Sequence, residues 1–282
     1  MLVNLLGSWI ETLFMYQFKI TDNEFNLFRK FIYEHAGINL SEQKKTLVTS
    51  RLSKRLRHYS LNSFKEYFDL MLASPEDGER QMTIDLLTTN ETYFFREPKH
   101  FTFLDEEILS KWEGRKTLKV WSAASSSGEE AYSIAMLLDD VLDGKRWEIF
   151  GSDISSRVLK KARQGLYLQE RIDGIPKEYL HKYCLKGVDE HEGTLLIDKK
   201  IREKVNFEPV NLKRPLGDIG LFDIIFLRNV LIYFDMDTKR KIIKQLVEKL
   251  HRGGYLFIGH SESLKEINEG LEAVIPTVYR KI

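Results

Sequence analysis

Between Leu118 and Leu138 a short apolar run leads into a turn of tiny residues, Ala123 to Gly128, and then into an amphipathic run that begins with Glu129 and Glu130. A ligand approaches backbone closely only where side chains are small or absent. The helix expected next presents unpaired N–H groups suited to an anion. With a single glycine the segment falls short of a dinucleotide fingerprint, and it serves equally as a tight strand-to-helix turn whose glutamates complement the helix dipole. Asp153 tips that balance. It ends the next apolar run, Phe150-Gly-Ser-Asp-Ile154, about 25 residues after Gly128, close to the offset of a ribose-binding acid in α/β nucleoside sites. The same side chain can cap a helix from Ser155 onward. Loop and acid together point to a nucleoside cofactor.

Leu221-Phe-Asp-Ile-Ile-Phe-Leu-Arg-Asn-Val-Leu-Ile-Tyr-Phe234 reads as a buried strand that delivers Arg228 and Asn229 at its carboxyl end, where ligands bind in open α/β sheets. A buried Arg and Asn need partners, so a structural network is the competing role. The Asn-Pro-Pro-Tyr motif used to hold a flipped base is missing. Upstream, Thr88-Thr-Asn-Glu-Thr-Tyr-Phe-Phe-Arg-Glu-Pro98 packs Asn90, Thr92, Arg96 and three aromatics into a linker. Such density suggests a lid over a ligand, with Tyr93, Phe94 and Phe95 also sealing a domain interface.

From Lys44 to His58 there is no acidic residue. Helical spacing puts Arg51, Lys54, Arg55 and His58 on one face and Leu52, Leu56 and Tyr59 on the other. In a chain of net charge +1 this single-signed face favours docking an acidic partner, with nucleic acid the lesser option. The seven histidines are scattered without metal-ligand spacing, and neither a Gly-x-Ser-x-Gly nor a Walker A motif occurs. No metal is expected.

These groups need elements to position them. The length of 282 residues suits about two domains, and 43% hydrophobic with 30% charged residues is an ordinary globular mixture. From Asp22 to Leu87 apolar residues recur at helical spacing: Phe25, Phe28 and Ile32; Leu47, Leu52 and Leu56; Phe64, Tyr67, Phe68 and Met71; Met82, Ile84 and Leu87. Thr21 and Asp22 supply a cap, and Ser74 to Gly78 a turn. Beyond Leu118 the texture changes to short apolar runs, Leu118–Trp121, Glu148–Gly151, Phe222–Leu227 and Tyr255–Ile258, alternating with helical patterns. That rhythm predicts a mainly parallel sheet. Lys186 to Pro209 breaks it, and its alternating segments Thr194–Asp198 and Lys204–Glu208 predict an inserted antiparallel hairpin or small β-subdomain.

The predicted organisation is therefore an extension over 1–20, a helical domain over 21–87, a linker or lid over 88–98 and an α/β domain over 99–282 with a β-subdomain at 186–209. The apolar start lacks a signal peptide's basic region and cleavage site and is too interrupted to span a membrane. Met15 opens a more ordinary start, so residues 1–14 read as an over-extended one. Cys184, the only cysteine, excludes an internal disulfide and fits a reducing cytoplasm.

With these pieces in order, the sequence resembles the CheR family of chemotaxis receptor methyltransferases from about Phe18 to Tyr279. The resemblance rests on Asn90-Glu-Thr-Tyr-Phe-Phe-Arg-Glu97, Trp121-Ser-Ala-Ala with Ser127-Gly-Glu-Glu130, Ser152-Asp-Ile154, Phe226 to Phe234 and Gly259-His-Ser-Glu-Ser263. It implies a Rossmann-like class I methyltransferase domain with a small antiparallel insertion, behind an all-α domain. It implies S-adenosylmethionine as cofactor and S-adenosylhomocysteine as product. Cofactor contacts are implied from Asn90, Thr92, Arg96, Glu130, Asp153, Asn211, Leu212, Arg228 and Asn229. Tyr233, with Arg96, is placed near the methyl-transfer point, and Arg51, Lys54 and Arg55 on a receptor-docking helix. Ala131 stands where the common family form has Pro, and Ser125-Ser126-Ser127 is more serine-rich than usual. In some members the β-subdomain adds a receptor's C-terminal pentapeptide as an extra strand.

The implied reaction esterifies glutamates on the cytoplasmic helical bundle of chemoreceptors, in the cytoplasm, and a monomer is the default expectation. A carboxylate with a pKa of about 4.3 is already ionised at neutral pH, so alignment and desolvation, rather than a general base, carry the chemistry. Rival readings are a methyltransferase for a small molecule or RNA, and a signalling module that binds the cofactor without turnover.

Overall fold

The computed structural model describes residues 18–73, 78–267 and 270–282. The expected over-extended start and most of the Ser74–Gly78 turn lie outside the described residues. Two compact units divide the chain, Met1–Thr89 and Asn90–Ile282.

The first unit is helical, over Asp22–Ala36, Lys45–His58, Phe64–Ala73 and Glu79–Leu87. Thr21 starts the first helix with a capping box: its hydroxyl accepts from the Glu24 N–H, and its own N–H donates to the Glu24 carboxylate at 2.8 Å. The helical spacing of apolar residues has its physical outcome in the core, where Phe28, Ile32, Leu52, Leu56 and Tyr67 are fully buried. Each such side chain contributes roughly 2 kcal/mol of hydrophobic stabilisation. Glu79 is buried among them at 3% exposure. It accepts from Arg55 Nε and Nη2 at 2.7 Å each, from Tyr59 at 3.0 Å and from Tyr67 at 2.7 Å. Burial opposes its charge, but Arg55 and the two phenols outweigh that and hold the carboxyl below its ordinary range.

The second unit is built on a seven-stranded sheet. Its strands are β1 (Leu118–Ala123), β2 (Trp147–Asp153), β6 (Val205–Pro209), β7 (Phe222–Leu227), β8 (Leu250–Ile258), β9 (Leu271–Ile275) and β10 (Val278–Lys281), in the order β6-β2-β1-β7-β8-β10-β9. β6, β2, β1, β7 and β8 run parallel, and β10 and β9 close the sheet as an antiparallel hairpin. Every residue of β7 is buried, the reason it reads as an unbroken apolar run. Helices Glu129–Val141, Ser156–Gln164 and Met236–Glu248 provide crossovers.

A three-stranded antiparallel sheet stands apart, with β3 (Leu166–Leu168), β5 (Thr194–Ile197) and β4 (Cys184–Lys186) in that order. Here the structure has the expected small antiparallel β-subdomain but corrects its bounds. Thr194–Ile197 pairs with β3 and β4, whereas Val205–Pro209 joins the main sheet beside β2. The antiparallel insertion thus begins near Leu166 and ends at Ile197, not at 186–209. A turn of helix at Lys199–Arg202, started by the Asp198 side chain, carries the chain between the sheets. Three-residue strands are too short for alternation to reveal.

Candidate active site

The parallel strands end at one level. Asp153 lies in register with Pro209, Ala123 with Ser152, and Ser122 with Phe226. One sheet edge therefore receives the turn after β1, Asp153 after β2, Val210 to Leu212 after β6, and Arg228 and Asn229 after β7. The order reverses between β1 and β7, the switch point at which open α/β sheets hold ligands.

The turn after β1 alternates through the left-handed region, with φ of 68° at Ala124, 51° at Ser126 and 96° at Gly128. A Cβ on Gly128 would lie 3.0 Å from both Ala162 Cβ and the Tyr167 hydroxyl, so the single glycine sits where one is needed. Asp153, only 6% exposed, ties the turn to the strand end by accepting from the Ser126 and Ser155 N–H groups at 2.9 Å each. The helix cap itself is Ser155, with Asp153 accepting from that residue's N–H. Ser125 Oγ and Ser155 Oγ are buried without a hydrogen-bond partner. Buried hydroxyls of that kind call for a polar ligand. A small-residue cradle, an acid at the strand end and orphaned hydroxyls fit a nucleoside cofactor.

The Arg228 side chain lies 1% exposed at the end of β7, with Nη1 3.0 Å from Glu130 and Nη2 3.0 Å from Glu97, and it also donates to the Arg96 carbonyl. Glu130 accepts from Ser122 Oγ at 2.7 Å as well. Burial pushes the Glu130 carboxyl up, against the pull of Arg228. In Glu97 the balance is reversed: burial opposes its charge, but Arg228, Asn229 and the His260 N–H together hold it at about 2. The neighbouring Glu129 turns away, buried and 3.3 Å from Arg171, with its carboxyl raised by burial. Asn229 takes φ 58° and donates its amide to Glu97 at 3.1 Å.

The linker from Asn90 to Glu97 lies along the second unit as a strap. The Asn90 carbonyl accepts from Ser126 Oγ at 2.8 Å, the Thr92 carbonyl from Arg171 at 3.0 Å, and the Phe95 N–H donates to Ser133 Oγ at 2.9 Å. Phe94 is fully buried and meets the Tyr167 ring edge-on at 4.9 Å. Arg96 is half-buried, donates to the Glu91 carbonyl at 3.1 Å and lies over Tyr93. Asn211 accepts from the Lys213 N–H, and the buried Leu212 offers its carbonyl to Gln245. Tyr233 is half-buried in a short turn, Leu231–Tyr233. The structure brings the predicted turn, Asp153, Glu130, Arg228, Asn229 and the strap to one side of the sheet.

The residues assigned to docking belong to the first unit, and the structure changes their standing. Arg51 donates to the Leu86, Leu87 and Thr88 carbonyls, closing the end of the helix Glu79–Leu87. Arg55 is the partner of buried Glu79. Of the three, Lys54 alone is exposed, together with Arg57 and His58 on the same helix. Helical spacing places residues on a face but does not reveal a carboxylate 24 positions away that claims one of them.

Sequence reasoning passed over four more groups. Glu97, His100 and His260 bring ligand-capable atoms within 4.8 Å of one another. The spacing is spatial rather than sequential, so no motif could reveal it. Such a set can hold a divalent cation, yet Glu97 already serves as counter-ion to Arg228. His100 is 1% exposed and shares a 2.7 Å hydrogen bond with Thr277 Oγ1. Burial first, and Arg228 second, lower its pKa to about 3. Glu262, the fourth, is taken up below.

Comparison with known proteins adds two family matches. The description "CheR methyltransferase, SAM binding domain" covers residues 90–279, and "CheR methyltransferase, all-alpha domain" covers residues 23–88. A "Chemotaxis protein methyltransferase" of Escherichia coli is 39% identical over 263 residues, 92% of this chain and 91% of that one. The "Chemotaxis protein methyltransferase 2" of Pseudomonas aeruginosa is 39% identical over 266 residues, 93% and 94%. A relative in Borreliella burgdorferi is 38% identical over 275 residues, 93% and 95%.

Proposed function

Since the chain belongs to the CheR methyltransferase family, we propose that this S-adenosylmethionine-dependent methyltransferase esterifies glutamate side chains on the cytoplasmic helices of chemoreceptors. The products are glutamate methyl esters and S-adenosylhomocysteine, and the setting is adaptation in chemotaxis, in the cytoplasm. The supporting observation is the match of both family domains in chain order to relatives named for chemotaxis, over nine-tenths of their length.

When bound, S-adenosylmethionine supplies a methyl group activated by its sulfonium. Asp153 would take the ribose hydroxyls, at the strand end where it already fixes the turn. Asn211 and Leu212 flank it across the β2–β6 edge, and Glu130, Arg228 and Asn229 stand on the β7 side. Asn90, Thr92 and Arg96 cover the site from the strap.

The substrate carboxylate arrives ionised, so no residue need take a proton. The work left to the protein is alignment in a dry setting. Arg96 would orient the incoming carboxylate through charge-assisted hydrogen bonds, and the Tyr233 hydroxyl would fix the geometry at the point of transfer.

Docking to an acidic helical surface falls to the helix Lys45–His58. Lys54 carries the solvent-facing charge, while Arg51 and Arg55 brace the helix from behind. The small sheet has both outer strands, β3 and β4, available at its edges, with Leu166, Leu168 and Leu185 exposed. A receptor tail added as a further strand would use such an edge. Among the described residues no helix is long and apolar enough to cross a membrane.

The test is incubation with methyl-labelled S-adenosylmethionine and chemoreceptor cytoplasmic fragments. Base-labile methyl ester on the receptor is expected. Label on RNA or a small molecule instead, or none on any substrate, would overturn the reading.

A further inference from the structure

In Asn229 to Tyr233, the chain that follows β7, the short turn Leu231–Tyr233 satisfies the Tyr233 N–H at the Val230 carbonyl, but the Asn229 and Leu231 N–H groups come too early in the chain to be accepted within it. Glu262 accepts them instead. One carboxylate oxygen takes the Asn229 N–H at 2.9 Å and the Gly259 N–H at 2.6 Å, and the other takes the Leu231 N–H at 2.7 Å. The Ile232 N–H adds to the same set. Glu262 is 8% exposed, and the Glu262 N–H closes a turn on the Gly259 carbonyl at 2.9 Å.

Gly259 is fitted to this contact. A Cβ there would lie 2.5 Å from Asn229 Nδ2, 2.8 Å from Asn229 N and 2.9 Å from the Glu262 carboxylate. The adjacent His260 N–H donates to Glu97 at 3.2 Å, so the turn 259–262 grips both the loop and the acid beside Arg228. A buried carboxylate collecting several backbone donors is a costly arrangement unless the loop it shapes must hold one conformation. The shape held is specific: Asn229 sits at φ 58°, in the left-handed region that Asn tolerates better than most side chains, with its N–H fixed on Glu262 and its amide on Glu97.

We propose that Glu262 is a positioning residue for methyl transfer, holding Asn229 to Tyr233 in the conformation that sets Tyr233 at the reacting centre. The loop clamp stands on geometry alone. Its part in catalysis rests on the reading of Tyr233 and the cofactor given above.

The experiment uses the full chain carrying Glu262→Gln, which keeps the side-chain size but turns one acceptor into a donor facing N–H groups. Hydrogen exchange read by NMR should show the Asn229, Leu231 and Gly259 amides losing at least tenfold in protection, with protection in the sheet retained. Unchanged protection at those amides would overturn the clamp, whatever reaction the protein performs. For the catalytic part, Glu262→Gln should lower kcat for receptor esterification at least tenfold, with KM moving less than threefold. The same substitution in a Tyr233→Phe background should cost little further. A full tenfold loss in that background, or an unaltered kcat, would overturn the link to Tyr233. A wild-type protein that esterifies no receptor would instead sink the functional reading and leave the exchange result to decide the clamp.

Discussion

Arg228 and Glu97 stand 131 positions apart in sequence, yet their side chains meet at 3.0 Å beneath the strap. Removing Arg228 would leave the largely buried carboxylates of Glu97 and Glu130 without their counter-ion. Arg228→Met is expected to destabilise the second unit by about 3–5 kcal/mol, the usual cost of breaking a buried pair from one side. Calorimetric unfolding measures it, and a wild-type melting temperature would contradict the role given to this pair.

Acid should weaken the same region in two stages. His100 ionises at about 3 in the fold, against about 6.5 when unfolded, so the unfolded state binds the extra proton first. Stability is therefore full above pH 6.5 and falls as pH drops below it. Glu97, held at about 2, adds a second loss below its unfolded value of about 4.3. Urea unfolding at several pH values should show both slopes, and His100→Gln should remove the upper one. A flat profile from pH 7 to 5 in the wild type would dismiss this account.

Asp153→Asn keeps shape and size but loses the charge and one acceptor. S-adenosylmethionine is expected to bind at least tenfold more weakly, about 1.4 kcal/mol. Titration calorimetry gives the answer directly, and wild-type affinity would remove Asp153 from the cofactor site.

Tyr233→Phe deletes one hydroxyl without disturbing the ring. The expected result is a kcat reduced about tenfold or more, while cofactor affinity stays within twofold, since the hydroxyl is assigned to the transfer geometry. Equal losses in kcat and affinity would place Tyr233 in cofactor binding instead.

The two kinds of basic residue on the helix Lys45–His58 should separate cleanly. Lys54→Glu is expected to raise KM for the receptor severalfold with little change in stability. Arg55→Ala should destabilise the first unit by several kcal/mol, because it abandons Glu79 in the core. If Arg55→Ala folds as stably as the wild type, the Glu79 network has been given too much weight.

Where the sequence was legible, short-range physics made it so. The cap at Thr21, the helical stripes around Phe28 and Leu52 and the unbroken β7 each declare themselves within a dozen residues. Asp153 and the small turn were readable because strand, turn and helix follow one another directly. What escaped depends on chain meeting chain at long range. Glu79 claims Arg55, Glu97 claims Arg228, and Glu262 claims the loop at Asn229. A charged residue looks the same in sequence whether it faces water or a buried partner. β6 was misplaced for a related reason, since alternation in Val205–Pro209 is silent about which sheet it joins.

Cys184, at the start of β4, has a thiol pushed up to about 12 by burial. At neutral pH it stays a thiol rather than a thiolate, so maleimides and iodoacetamides react with it slowly. The protein is thus a ready background for spectroscopy: a cysteine introduced on an exposed position, such as one replacing Lys199 or Lys241, becomes the single rapidly labelled site. Fluorophores or spin labels there can then report receptor engagement over a slow native background.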